Sequence, residues 1–303
     1  MRSSAWGLYL GLAVVAVVAV PLLTTQAQGA QHYANLVRDF PGMATALLTA
    51  GLRALAELAG ILTAGGLVYL LVLHTPYAKA AKGKAKVARR LGVLTESFAR
   101  DLLRLSSAVW FVTAALLVGV EGAESTGTSA ARLFEPGVLS FIVSTSTFAQ
   151  AWLVTAVLAG LIWLCTELAT RWTSLLFPTW LTMFALLAPV VVGQVLVGHN
   201  HDIGLDAAIF QTLALGYGLG PVLVLGISLI RRQEVPPFVL RRAWLLAALA
   251  GTVVFLSELV ITWFKLVGTA PWESVTGWQA TVRLAAMLGG AVVLWQSANR
   301  ITD

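Results

Sequence analysis

Leu175 to Asp202 reads LLFPTWLTMFALLAPVVVGQVLVGHNHD, and this stretch decides the fold. From Leu175 to Val197 it carries no Asp, Glu, Lys or Arg. About 20 such residues, rising 1.5 Å each, cross a hydrocarbon core about 30 Å thick, so the run predicts a membrane-spanning helix. Pro189 inside it removes a backbone donor and frees a carbonyl one turn earlier, with Gly193 and Gln194 following the proline. The run stops at Gly198-His199-Asn200-His201-Asp202, where metal-capable side chains crowd together. Imidazole and carboxylate suit divalent transition metals, and neutral His is the commonest metal ligand. The same five residues also describe a solvated interfacial turn, with Asn200 and Asp202 as turn residues and Gly198 and Gly204 as helix-end glycines.

Comparable apolar runs recur on either side, at about 6–23, 44–73, 106–120 and 139–165 before it and 207–230, 243–266 and 278–295 after it. The chain is 58% hydrophobic and 11% charged, with a mean hydropathy of +0.83. A soluble domain carries about a quarter charged residues. The expectation is all-α: a polytopic integral membrane helical bundle of about eight transmembrane helices, forming one domain over residues 1–303. Continuous apolarity, without strand-like alternation, excludes a β-barrel. The first run, behind Arg2, resembles a signal peptide with small residues from Ala27 to Ala30. Its apolar core exceeds the usual length of about 7 to 15 residues, which favours an uncleaved signal anchor.

Basic residues sort the links between spans. Lys79, Lys82, Lys84, Lys86, Arg89, Arg90, Arg100 and Arg104 fall between the second and third, and Arg231, Arg232, Arg241 and Arg242 between the sixth and seventh. Arg171 and Arg300 mark two further ends of the same sign. By the positive-inside rule these ends are cytoplasmic, as are both termini, in a multi-pass plasma-membrane protein. The alternate links hold Glu121, Glu124, Glu135, Asp202, Asp206 and Glu273 and face outward. The net charge of +6 is therefore a topology signal rather than a nucleic-acid footprint. The run from Lys79 to Arg90 is expected to lie on anionic lipid head groups.

Ionisable groups at membrane depth are costly and need a partner or a cavity. Glu258 in the seventh span and Arg283 in the eighth come to similar depth below the outer surface and are expected to pair or share one hydrated cavity. Arg53 and Glu57 lie one turn apart in the second span, Gln194 sits one turn beneath His199, and Gln211 lies just below the outer end of the sixth. The set outlines a polar pathway open to the outside, or, in the plainer reading, staples that hold the bundle together. Gly216, Gly218 and Gly220 before Pro221 predict a kink or a close helix contact. Cys165 stands alone within an apolar run, which excludes a multi-Cys site. With His74 at a cytoplasmic end and His199 and His201 at an outer one, no membrane-buried pair can hold haem. Nucleophile-base constellations and Gly-rich phosphate loops are missing, so no enzyme is expected.

The Gly-His motif after the fifth span, Arg100-Asp101-Leu102-Leu103-Arg104-Leu105 before the third, and a last helix closing on Ser297-Ala298-Asn299-Arg300 resemble the CopD/PcoD copper-resistance membrane proteins. The closing Asn299-Arg300 keeps the family pattern, whereas Thr276-Gly277-Trp278-Gln279 departs from its Tyr-Gly-Arg-like opening. The resemblance implies copper as the transported or transiently bound ion, taken up from the outer side. His199 and His201, with Asp202 and Met43, are then the metal ligands, and Arg53, Glu57, Gln194, Gln211, Glu258 and Arg283 line the route. Its implied partners are a periplasmic copper chaperone or a CtaG-type oxidase assembly module. An alternative role is a non-catalytic scaffold that docks such a partner.

Overall fold

The structure, a computed structural model, describes residues 18–31, 33–34, 38–74, 85–192, 201–230, 237–266, 270, 272–273 and 277–289. Among them the regular elements are helices, and no strand occurs. We label them α1 (18–31), α2 (Met43–Val68), α3 (Ala85–Ser125), α4 (Val138–Thr145), α5 (Thr147–Leu168), α6 (Leu176–Val191), α7 (His201–Leu213), α8 (Gly220–Ile230), α9 (Pro237–Lys265) and α10 (277–289). A π-helical turn, Tyr69–His74, prolongs α2, and a second, Ala214–Leu219, joins α7 to α8. Among the described residues, six stretches are long and apolar enough to cross a bilayer: Met43–His74, Glu96–Ser125, Thr147–Leu168, Thr173–Val191, Asp202–Ser228 and Val239–Phe264.

Solvation by lipid is written on α5. Leu153, Val157, Leu161, Leu164 and Leu168 form an exposed stripe at helical spacing, while Ala149, Ala156, Ala159 and Thr166 are buried on the other side. In water so large an apolar stripe would need a covering partner. In a bilayer the small residues turn inward because helices then approach closely and gain dispersion contact. α6 is near enough for Thr155 Oγ1 on α5 to donate to the Ala185 carbonyl at 3.1 Å.

Several helix ends depart from the sequence expectation. α1 continues to residue 31, past the expected end at residue 23. The third span does not stop at Val120: α3 runs on to Ser125 and carries Glu121 and Glu124 inside the helix rather than in a link. No proline interrupts that turn, and the break comes at Gly127, whose φ of 67° disfavours a side chain. The fourth span is two helices, since α4 ends at Ser146, which has an extended backbone and caps α5 by accepting from Ala149 N–H at 3.3 Å. Its neighbours Ser144, Thr145 and Thr147 are residues whose hydroxyls compete for backbone bonds, which weakens a continuous helix there. α6 closes at Val191, and residues 193–197 of the expected fifth span lie outside the described set. Arg241 and Arg242 lie within α9, not in a link; the helix opens on Pro237, a residue suited to a first helical position.

The chain divides into two units, residues 1–63 with 102–192 and residues 64–101 with 193–303. The division falls within α2 and α3, so both helices contribute to each. In the second unit the wide turn Ala214–Leu219 meets the demand made by Pro221, which lacks an N–H. Close backbone approach accompanies it: a Cβ on Gly65 would overlap the Gly220 backbone, and one on Gly218 would overlap Ala250 Cβ.

Candidate functional site

In the first unit, three helices converge on one carboxylate. Arg53 sits ten residues into α2 from Met43, and Glu121 lies one turn before the end of α3. Arg53 donates through Nε to Glu121 Oε2 at 3.0 Å and through Nη2 to Oε1. Trp152 on α5 donates its indole N–H to Oε2 at 2.5 Å. Glu121 is 3% exposed. A forked guanidinium-carboxylate pair plus a third donor is among the strongest ways to hold a charge away from water. Glu57, one turn beyond Arg53, is exposed and feels the charges of Arg53 and Glu121.

Beside this clamp lies a cavity of about 130 Å³, lined by Thr25, Gln28, Gly29, Tyr33, Ala46, Thr49, Ala50, Arg53 and Glu124. Tyr33, itself buried, donates its phenol to Glu124 Oε1. Burial first, and the Glu124 carboxylate second, push the Tyr33 phenol well above its ordinary range, so it stays a neutral donor. Met43 packs against this rim: its Cε would lie 3.7 Å from a Cβ on Gly29. The turn after α3 closes over the same end, where Ala130 N–H donates to Thr45 Oγ1 at 3.0 Å.

The second unit holds a separate buried carboxylate. Glu258 on α9 is 3% exposed; Gln211 on α7 donates to its Oε2 at 2.7 Å, and Arg283 Nε on α10 lies 3.1 Å from Oε1. That last contact is an ion pair without hydrogen-bond alignment, so Oε1 and, one turn on, Thr262 Oγ1 are buried with no hydrogen-bond partner. Near the basic end of the same unit, His74 Nε2 lies 3.1 Å from Glu96 Oε2, and Arg100 Nε donates to Glu96 Oε1 at 3.0 Å.

Of the residues singled out in the sequence, Arg53, Glu57 and Met43 belong to the first unit, and Gln211, Glu258, Arg283 and Asp202 to the second. Asp202 is exposed in the first turn of α7. His199 and Gln194 lie outside the described residues, and His201 is described only as the backbone that opens α7. Among the described residues no group of three or more His, Cys, Asp or Glu is gathered to hold a metal ion. Sequence reasoning missed Glu121 as a buried anchor, together with Trp152, Tyr33 and Glu124. The available signal was the i, i+3 spacing of Glu121 and Glu124, in a run with no proline before Gly127.

The family described as "Copper resistance protein D-like, N-terminal domain" matches residues 43–204, which include Arg53, Glu121, Glu124, Trp152 and the two histidines at 199 and 201. Two curated relatives are "Uncharacterized protein Mb0105" of Mycobacterium bovis and "Uncharacterized protein MT0111" of Mycobacterium tuberculosis, each 30% identical over 208 residues. Those alignments cover 68% of this chain and 30% of each relative, so the chain spans less than a third of their length. No solved structure matches. With more than half of its residues under the family match and the buried anchor inside it, the chain belongs to the copper resistance protein D-like family of multi-pass membrane proteins.

Proposed function

We propose that this protein handles copper at the plasma membrane, taking the ion up from the extracytoplasmic side through eight spans with both termini in the cytoplasm. His199, His201, Asp202 and Met43 collect the ion, and Arg53, Glu57, Gln194, Gln211, Glu258 and Arg283 shape its route. Copper is cargo here, and the protein performs no chemistry on it. The observation that carries the reading is the clamp inside the family-matched residues, where buried Glu121 accepts from Arg53 and Trp152 in a lipid-solvated bundle beside a polar cavity that Met43 abuts. A charge is seldom kept at such depth without function. Isotopic copper accumulation in cells carrying the wild type is expected to exceed that in cells carrying His199→Ala with His201→Ala. Equal accumulation refutes the site.

A second reading, a scaffold for a periplasmic copper chaperone or a CtaG-type oxidase assembly module, draws on Phe134 and Phe141. They are 93% and 60% exposed around the turn after α3. It predicts a stable co-purifying partner and no copper movement in proteoliposomes.

A further inference from the structure

We propose that the segment from Ala130 to Thr145 is a lipid-binding element. It lies in the acyl and head-group boundary of the leaflet at the Ser125 end of α3, with Phe134, Leu139 and Phe141 set among acyl chains. It rests on the multi-pass membrane fold and not on copper.

The backbone places the segment at that depth. α5, with 22 residues, rises about 33 Å and crosses a hydrocarbon core without help from α4. α4, with 8 residues, is about 12 Å long and cannot cross one. It is folded back on α3 instead. Ile142, fully buried, fills the space that a Cβ on Gly122 would need, and methyls of Leu133 and Leu139 come within 3.1 and 3.6 Å of where a Cβ on Gly119 would stand. Gly119 precedes Ser125 by about two turns, so the segment returns about 9 Å along the helix it came from.

The chemistry of the uncovered face identifies what covers it. Ser140, Ser144 and Thr145 are exposed, yet each hydroxyl donates to a carbonyl of its own backbone: Ser140 to Gly137 at 2.9 Å, Ser144 and Thr145 to Phe141 at 2.8 Å. Such bonds leave no hydroxyl donor pointing outward, the arrangement that hydrocarbon demands. At the break before α5, the Gln150 amide donates to the carbonyls of Val143 at 3.1 Å and Ser144 at 3.5 Å, which supplies internally what water supplies elsewhere. Gln150 shares one face of α5 with Leu153, Val154 and Val157, the stripe solvated by lipid. α4 therefore ends on the lipid side of α5, and its apolar face continues a surface that acyl chains already cover. The charges of the segment are Arg132 and Glu135, which are exposed, pair with each other at 3.0 Å and suit the head-group region. Apolar rings and leucines beside such a polar fringe are the pattern of elements that lie in the interface. The scaffold reading gives the same two phenylalanines to a protein partner, so the two readings differ in what touches them.

The test uses the full chain in phosphatidylcholine nanodiscs, with Cys165→Ala so that single nitroxide labels can be placed at Phe134→Cys, Phe141→Cys and, as the hydrocarbon reference, Leu161→Cys. Electron paramagnetic resonance reads collisions with dissolved oxygen, which concentrates in acyl chains, and with a water-soluble nickel chelate. Oxygen is expected to outpace the chelate at 134 and 141, by as much as at 161 or less. The chelate outpacing oxygen at either position means water, as on a face kept free for a docking protein, and exclusion of both colliders means contact with a second copy; either result overturns the proposal. Wild-type protein gives an independent reading should a labelled variant fail to fold. A phosphatidylcholine carrying a diazirine near the top of its acyl chain should leave adducts within residues 134–141, located by fragmentation mass spectrometry. Their absence, with α5 labelled in the same sample, overturns the proposal. Loss of the copper reading in the accumulation assay leaves both measurements unchanged.

Discussion

Replacing Glu121 by Gln should unlock the junction of α2, α3 and α5. The substitution keeps the shape but removes the charge that accepts from both Arg53 nitrogens and from the Trp152 indole. Breaking one partner of a buried ion pair costs about 3–5 kcal/mol. Arg53 is 45% exposed and can be re-solvated, so that figure must be discounted for screening, to about 2 kcal/mol. The indole bond to a charged acceptor adds about 1.5 kcal/mol, only part of which a Gln oxygen retains. The net expectation is a loss of about 2–3 kcal/mol, which combines these terms with the discount. Trp152→Phe alone should lose about 1–2 kcal/mol, the value of one such bond. Reversible unfolding in bicelles, followed by near-ultraviolet circular dichroism, measures both. A double-mutant cycle of Arg53→Met with Glu121→Gln should return a coupling energy of about 1–3 kcal/mol, as for residues in direct contact. If Glu121→Gln unfolds with the wild type, and the cycle shows no coupling, the clamp does not hold these helices and the argument is refuted.

Gly65→Ala should abolish membrane yield or cost several-fold in recovered protein, because its Cβ has nowhere to go but into the Gly220 backbone, whereas Gly251→Ala, with nothing within 4 Å, should express normally. Glu258→Gln keeps the Gln211 contact in reach but ends the ion pair with Arg283. Normal yield with copper accumulation lost favours the route, and lost yield favours a structural staple. The Tyr33 phenol, shifted upward by burial and by Glu124, binds its proton more tightly in the folded state than unfolded. Its stabilising contribution is therefore fully present below the ordinary tyrosine value of about 10 and is lost as pH rises beyond that. The difference in absorbance at 295 nm between wild type and Tyr33→Phe should show this phenol ionising later than a free tyrosine; ionisation near 10 contradicts the burial.

Membrane helices are readable because one physical demand, internal satisfaction of every backbone group in lipid, leaves long apolar runs as its trace. The run at 44–73 corresponds to the helical stretch Met43–His74 almost residue for residue. Helix ends carry no such demand, which is why Glu121 reads as a link residue and is in fact helical. The break at Ser146 hides for a related reason: Ser and Thr are tolerated in apolar runs, so Ser144 to Thr147 leaves hydropathy almost untouched while offering the backbone an alternative partner. The approach of Glu258 and Arg283 follows from depth along successive spans, a one-dimensional quantity. The meeting of Arg53, Glu121 and Trp152 depends on which faces three non-consecutive helices present, and spacing along the chain does not encode that.

The inverted character of α5, bulky outside and slender inside, reverses the familiar map of tolerated positions. Trimming Ala159 to Gly removes little volume from an inner face that is, Trp152 and Ile162 apart, made of small groups, whereas a polar residue at Leu161 would sit directly among acyl chains. Mutational scanning of this helix should find its outer leucines intolerant of polar residues, in addition to the buried Trp152. Solubilising it by repainting its outer leucines would have to supply, from some other source, the cohesion now furnished by the surrounding hydrocarbon.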